Sequence, residues 1–195
     1  MGQPAAVLVP LVYLPQPVPT SPDGAPAGEW HLILMIRTNR GPHGGQVSFP
    51  GGRVEPQDRS LLETALREAQ EELGIDPSIV QIVGTLPVVE TIVSNFTITP
   101  FVGVLSRRPE YRLQEEECVA VLEVPLSALH TPQEDWWDLP RGRRFVRWYP
   151  WQEQRIWGAT FRIIEHLRAA LEQGRILLPR EPAEPAVSPS SAEQA

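Results

Sequence analysis

The sequence predicts a mixed α+β sandwich built around one core. Apolar, β-branched runs outnumber helical patterns, and the elements do not alternate as regular β-α-β units, which argues against a doubly wound sheet or a barrel. The length, 195 residues, suits one domain with extensions.

The elements follow in order. Ala5–Leu14 reads as a strand, with Pro10 placing it at a sheet edge or a bulge. Residues 16–28 are rich in Pro, Gly and Ser and read as a loop. Trp30–Arg37 is apolar enough for a central strand, and a polar, Gly-rich loop follows to Gly45. Gln46–Phe49 reads as a short strand stopped by Pro50-Gly51-Gly52. A helix is predicted over Leu61–Leu73, opened by the Ser60/Glu63 capping box and closed by Gly74, with Pro77 just beyond. Ile79–Pro87, Val88–Ile92, Phe96–Leu105 and Cys118–Val124 read as strands, and Pro125–Leu129 as a helical turn. A second long helix is expected from Arg155 to Gln173, on the spacing of Ile156, Ile163, Ile164, Leu167, Ala170 and Leu171. Pro179–Ala195 has almost no large apolar residue and reads as a disordered tail after a domain of residues 1–178.

Composition removes several function classes. The net charge of −7 is no footprint for nucleic acid, and an anionic substrate would need local positive charge from Arg or metal ions. All seventeen basic residues are Arg, which excludes Schiff-base and P-loop lysine chemistry. The one cysteine, Cys118, lies in an apolar run and reads as a buried, inert thiol in a cytoplasmic protein. No signal peptide is recognisable, and no apolar run approaches the ~20 residues that cross a bilayer.

The helix at Leu61–Leu73 carries the chemistry. At ~100° per residue, with Glu68 at zero, Glu72 falls at about 40° and Glu71 at about −60°. Three carboxylates therefore share one face, beside a core-facing stripe of Leu62, Ala65, Leu66, Ala69 and Leu73. Like charges at this spacing cost an isolated helix a few tenths of a kcal/mol, about what an ion pair would return. A solvated acidic face is the plainer account; binding of a hard cation such as Mg²⁺ or Mn²⁺ is the functional one. Arg67 sits beside the cluster and can orient a carboxylate.

The longer pattern decides between them. Gly52, Asp58, Arg67-Glu68-Ala69, Glu71-Glu72 and Gly74-Ile75 resemble the Nudix box, with Asp58 replacing the usual Glu and one extra residue before Arg67. That form, together with Gly45–Gly52, Ile98–Leu105, Glu123–Leu129 and Ile156–Thr160, is similar to the coenzyme A pyrophosphatase branch of the family. The resemblance implies an α/β/α sandwich with a mixed central sheet and a loop-helix-loop catalytic motif. It implies Glu68 and Glu72 as metal ligands, Glu71 as a ligand or the residue that positions the attacking water, and Arg67 as the group that orients a glutamate. It offers the Gly51 carbonyl as a further ligand and places the general base outside the box, for which Glu117 is the preferred candidate.

The implied reaction is attack of metal-activated water on a diphosphate, yielding adenosine 3′,5′-bisphosphate and 4′-phosphopantetheine from coenzyme A. ADP-ribose or a dinucleotide is the alternative substrate. A ligand-binding regulator with silenced chemistry would be expected to lack a core glutamate, and all three are present. No nucleic-acid or membrane partner is expected; a homodimer is accommodated. Five of six Trp fall between Trp136 and Trp157 and read as core or subunit interface. Arg141, Arg143, Arg144 and Arg147 read as a solvated hairpin, His43 equally as a residue facing the substrate or a plain loop histidine, and no His pair has zinc-ligand spacing.

Overall fold

The computed structural model describes residues 2–15, 28–38, 44–91, 94–139 and 142–179. The loops expected after Pro15 and Thr38, His43, Arg141 and all but the first residue of the expected tail lie outside these.

The centre of the molecule is strand β1 (Gln3–Pro15), which runs parallel to β7 (Phe96–Leu105) from Gln3↔Phe96 to Val12↔Leu105. The other edge of β1 is shared. Leu11–Pro15 pair with β2 (Gly28–Arg37), whereas Ala5–Val7 pair with β4 (Gly51–Arg53). Beyond Leu32, β2 has left β1 and pairs through Met35 and Ile36 with β3 (Val47–Ser48). Two adjacent strands thus split apart, and residues 47–53 fill the split as a wedge. The Leu8 amide donates to the Pro50 carbonyl at 3.0 Å across it.

Pro10 was expected at an edge or bulge, yet it lies in this central strand. The split explains why. Backbone amides two residues apart point to the same edge of a strand. The Leu8 amide faces the wedge, so the missing amide of Pro10 falls where β1 has no ladder partner on that side.

β8 (Cys118–Pro125) pairs with the outer edge of β2, and β5 (Val80–Thr85) and β6 (Val89–Glu90) pair with the outer edge of β7. These eight strands form one mixed sheet. Side chains alternate between its faces. Ala6, Leu8, Val12, Ile33 and Met35 pack under helix α1 (Leu61–Leu73), against Ala65, Ala69 and Leu73. Val9, Leu11, Leu32 and Leu34 pack under helix α2 (Gly158–Glu172), against Ile163, Ile164, Leu167 and Ala170. The architecture is the expected sandwich, with one helix on each face.

A second, antiparallel sheet holds β9 (Gln133–Leu139), β10 (Gly142–Trp151) and β11 (Gln154–Trp157). The second helix was expected to begin at Arg155; it begins at Gly158. Ile156 sits at helical spacing from Ile163, but it lies in β11, pairs with Tyr149 of β10 and is fully buried there. Gly158, at φ 67°, turns the chain from strand into helix. The Thr160 hydroxyl then donates to the Val47 carbonyl at 2.9 Å and ties α2 to the wedge.

Candidate active site

Local chemistry fixes α1. The Ser60 hydroxyl accepts from the Glu63 amide at 3.1 Å, and the Glu63 carboxylate accepts from the Arg59 amide at 2.6 Å. At the other end Gly74, at φ 73°, donates to the Gln70 carbonyl at 2.9 Å. The chain after β7 returns to this end: the amides of Arg112 and Gln114 donate to the carbonyls of Leu73 and Glu72 at 3.0 and 3.1 Å. The last turn of α1, which carries Glu71 and Glu72, is thereby held from outside the helix.

The face of α1 next to the wedge places Glu68 and Glu72 against Gly51-Gly52. Glu72 is buried to 1% exposure. Its Oε2 accepts from the Gly51 amide at 2.8 Å, and its Oε1 lies 3.4 Å from Nη1 of Arg37. Burial pushes its carboxyl up to about 8, against the opposing pull of the Gly51 amide and Arg37. Glu68 occupies the space where Gly52 lacks a Cβ. Burial raises its carboxyl too, opposed by Arg67 and assisted by the negative charges of Glu71 and Glu117.

Arg67 is the hub. It grips Asp58 with two bonds, Nε to Oδ1 at 2.9 Å and Nη2 to Oδ2 at 3.1 Å. It also donates to the Arg53 carbonyl at 3.2 Å, lies 3.1 Å from Glu68 Oε1, and reaches Glu71 Oε2 at 2.9 Å. Asp58 in turn accepts from the Glu55 amide and the Thr64 hydroxyl, both at 2.9 Å. The Arg67 bonds hold the Asp58 carboxyl well below the usual carboxylate range.

Glu71 points outward, half exposed, and among the described residues its carboxylate pairs with Arg67. A cleft of about 480 Å³ opens beside it, lined also by Gln70, Gly74, Arg107 and Arg112. Glu117, just before β8, places Oε2 3.5 Å from Nη2 of Arg37. Gly51 is seen to engage the site through its amide.

Sequence reading underrated two residues. Asp58 stood only as a departure from the box pattern; it is the anchor of Arg67. Arg37 is read from sequence only as the last residue of a strand; it bridges Glu72 and Glu117. A charge count was the available signal: buried acids in a split sheet need cations nearby.

Among the described residues, no three His, Cys, Asp or Glu side chains are arranged to hold an ion by themselves. Arg67 and Arg37 lie against the carboxylates instead. The donor set nonetheless fits a hard cation. Mg²⁺ uses one or two carboxylates, water and substrate oxygens rather than a closed protein cage. Glu72 is buried and Glu68 part-buried, burial pushes both carboxyls toward neutrality, and a divalent charge would reverse that.

The other singled-out residues are structural here. Cys118 is buried and its thiol donates to the Ala120 carbonyl. Trp148 is buried, Trp137 meets Trp148 at a tilt and Trp157 edge-to-face, and Arg155 covers Trp137 and Trp148. Arg143, Arg144 and Arg147 lie on the expected hairpin, with Arg147 paired to Glu134 and Glu165. No helix among the described residues is long and apolar enough to cross a membrane.

Known proteins match this arrangement. The NUDIX domain family model matches residues 23–153. An uncharacterized Nudix hydrolase NudL of Yersinia enterocolitica is 40% identical over 169 residues, 84% of this chain and 78% of its own. The Escherichia coli protein of the same description is 41% identical over 167 residues, 84% and 80%. Among solved structures, the Nudix hydrolase RenU of M. smegmatis superposes with a TM-score of 0.59 at 16% identity, covering 91% of this chain and 90% of that one. The NUDIX domain of Shewanella oneidensis NrtR, solved with ADP ribose, gives 0.55 at 16% identity, covering 88% and 89%.

Proposed function

The chain belongs to the NUDIX family, and on that premise we propose that it hydrolyses the pyrophosphate bond of coenzyme A or its thioesters. The observation that carries the hydrolytic reading is the pair of carboxylates fixed against the Gly51-Gly52 turn, Glu72 buried and Glu68 part-buried. The coenzyme A assignment is supported by the likeness of Gly45–Gly52, Ile98–Leu105, Glu123–Leu129 and Ile156–Thr160 to that branch.

Glu68 and Glu72 would hold Mg²⁺ or Mn²⁺, with Glu71 and the Gly51 carbonyl as further donors. When bound, such an ion neutralises phosphoryl charge and acidifies a water. The protein's own groups do the rest. Arg67, locked by Asp58, sets the direction of Glu68 and restrains Glu71. The Gly51 amide fixes Glu72. Glu117 stands at the exposed side of the cluster, where its carboxylate can accept the proton of the attacking water.

The test is product analysis. The pure chain is incubated with Mg²⁺ or Mn²⁺ and, separately, coenzyme A, ADP-ribose and NADH. Adenosine 3′,5′-bisphosphate with 4′-phosphopantetheine supports the proposal. Turnover of ADP-ribose alone would move the substrate, and no turnover of any would remove the reading.

A further inference from the structure

Two guanidinium groups serve the site, and they are held differently. Arg67 is locked by two bonds of 2.9 and 3.1 Å to Asp58 and one of 3.2 Å to the Arg53 carbonyl. Among the described residues, Arg37 is held at 3.4 Å by Glu72 and 3.5 Å by Glu117, beyond the distance of well-formed hydrogen bonds. Its side chain is 30% exposed. Its backbone is fixed, since its amide donates to the Gln46 carbonyl at 3.0 Å and its carbonyl accepts from the Gly45 amide at 3.1 Å. The side chain can therefore swing while its root stays in place.

We propose that Arg37 is an exchangeable counter-cation: it neutralises Glu72 and Glu117 in the substrate-free site, yields Glu72 to an incoming divalent ion, and then binds an oxygen of the substrate's diphosphate. The proposal rests on the metal-dependent reading above. Its logic is electrostatic. A guanidinium and a divalent ion on one buried carboxylate repel each other, and the cation with fewer short bonds is the one that leaves. Once displaced, the guanidinium keeps its charge, because Arg does not deprotonate in proteins. It sits at the mouth of a site whose substrate is a polyanion, and its planar fork suits phosphate oxygens.

A positioning role for Arg37 predicts the opposite sign. If Arg37 merely held Glu72 in place, its removal would weaken ion binding. If it competes with the ion, its removal strengthens it. The experiment measures Mn²⁺ binding to the full chain without substrate, by electron paramagnetic resonance, for the wild type, Arg37→Ala and Arg37→Lys. Arg37→Ala is expected to bind Mn²⁺ about fivefold tighter, the effect of removing one nearby unit charge in a water-rich setting. Its KM for the diphosphate substrate is expected to rise about tenfold, while Arg37→Lys stays near the wild-type Mn²⁺ affinity. Unchanged or weaker Mn²⁺ binding by Arg37→Ala overturns the proposal.

A second measurement needs no variant. The rate at which a dicarbonyl reagent modifies Arg37 in the wild type, followed by mass spectrometry, should rise with Mn²⁺ and fall again when inorganic pyrophosphate is added with it. Indifference to Mn²⁺ overturns the exchange. Absence of any Mn²⁺ binding to the wild type is a different outcome, and it removes the metal-dependent reading itself.

Discussion

Replacing Gly52 with Ala separates the site from the fold more cleanly than any change to a glutamate. A Cβ built on Gly52 would lie 2.6 Å from Cδ of Glu68 and nearer still to its Oε1, against 3.4 Å for ordinary contact. The glutamate must therefore move by close to 1 Å. It can do so, because its carboxylate is the far end of a flexible side chain, and Gly52 does not need a left-handed backbone. Stability should change by less than about 1 kcal/mol. Misplacing a reacting group by ~1 Å costs about 100-fold in rate, or ~2.7 kcal/mol of transition-state stabilisation. Gly51→Ala is the contrast: its Cβ would meet the backbone of β1, 2.6 Å from Cα of Val7, at a φ of 154°. That variant should lose stability first. The assay pairs kcat for the diphosphate substrate with thermal melting of both variants. A Gly52→Ala protein within threefold of wild-type kcat, at an unchanged melting temperature, would refute the placement of Glu68 at the reacting centre.

Asp58→Asn should cost on the order of 3 kcal/mol, because it leaves Arg67 without its bidentate partner. The folded-state pKa of Asp58 is depressed, so its stabilisation is present above the unfolded value of ~3.9 and fades as pH falls; denaturant titrations from pH 7 to 3 should show that loss in the wild type and much less of it in the variant. Glu72 is the reverse case, a folded pKa raised to about 8, so its contribution is fully present below the unfolded value and is lost as pH climbs through 8. In the presence of a chelator the wild type should lose about 1.4 kcal/mol per pH unit relative to Glu72→Gln between the unfolded value of ~4.3 and 8, and no more above 8, read from melting curves, while Glu72→Gln loses turnover at every pH. Glu117→Gln should lower kcat about 100-fold at an unchanged melting temperature; a loss under threefold would assign the base elsewhere.

What the sequence disclosed depended on distance along the chain. The bounds of α1 follow from Ser60, Glu63 and Gly74, all of which bond within four residues. The shared face of Glu68 and Glu72 follows from helical pitch alone. By contrast, Arg37 reaches partners 35 and 80 positions away, and no local pattern announces either. Asp58 lies nine residues from Arg67 across a turn, so its role as anchor needed coordinates. The start of α2 misled for a related reason. Ile156 satisfies a helical period by coincidence, and pairing with Tyr149, a tertiary fact, overrides it. The outward aim of Glu71 was obscured because angle on a helix gives direction and says nothing of what covers it.

The carboxylate cluster of α1 depends on the split in the sheet, because of where the backbone hydrogen bonds go. An unbroken β1–β2 ladder would consume the edge of β1 and leave no entry for residues 47–53. With the strands split, the Leu8 amide goes to the Pro50 carbonyl and the Gly51 amide is released to a side chain, Glu72. That one bond helps a carboxyl to stay buried beside an apolar face, where an unpaired one would cost several kcal/mol. Pro10 withholds an amide on that same edge, where one would otherwise need a partner. Helix α1, the two glycines and the proline are therefore one device, and closing the split with a regular hairpin should abolish Mn²⁺ binding, read by electron paramagnetic resonance, even if every glutamate is kept.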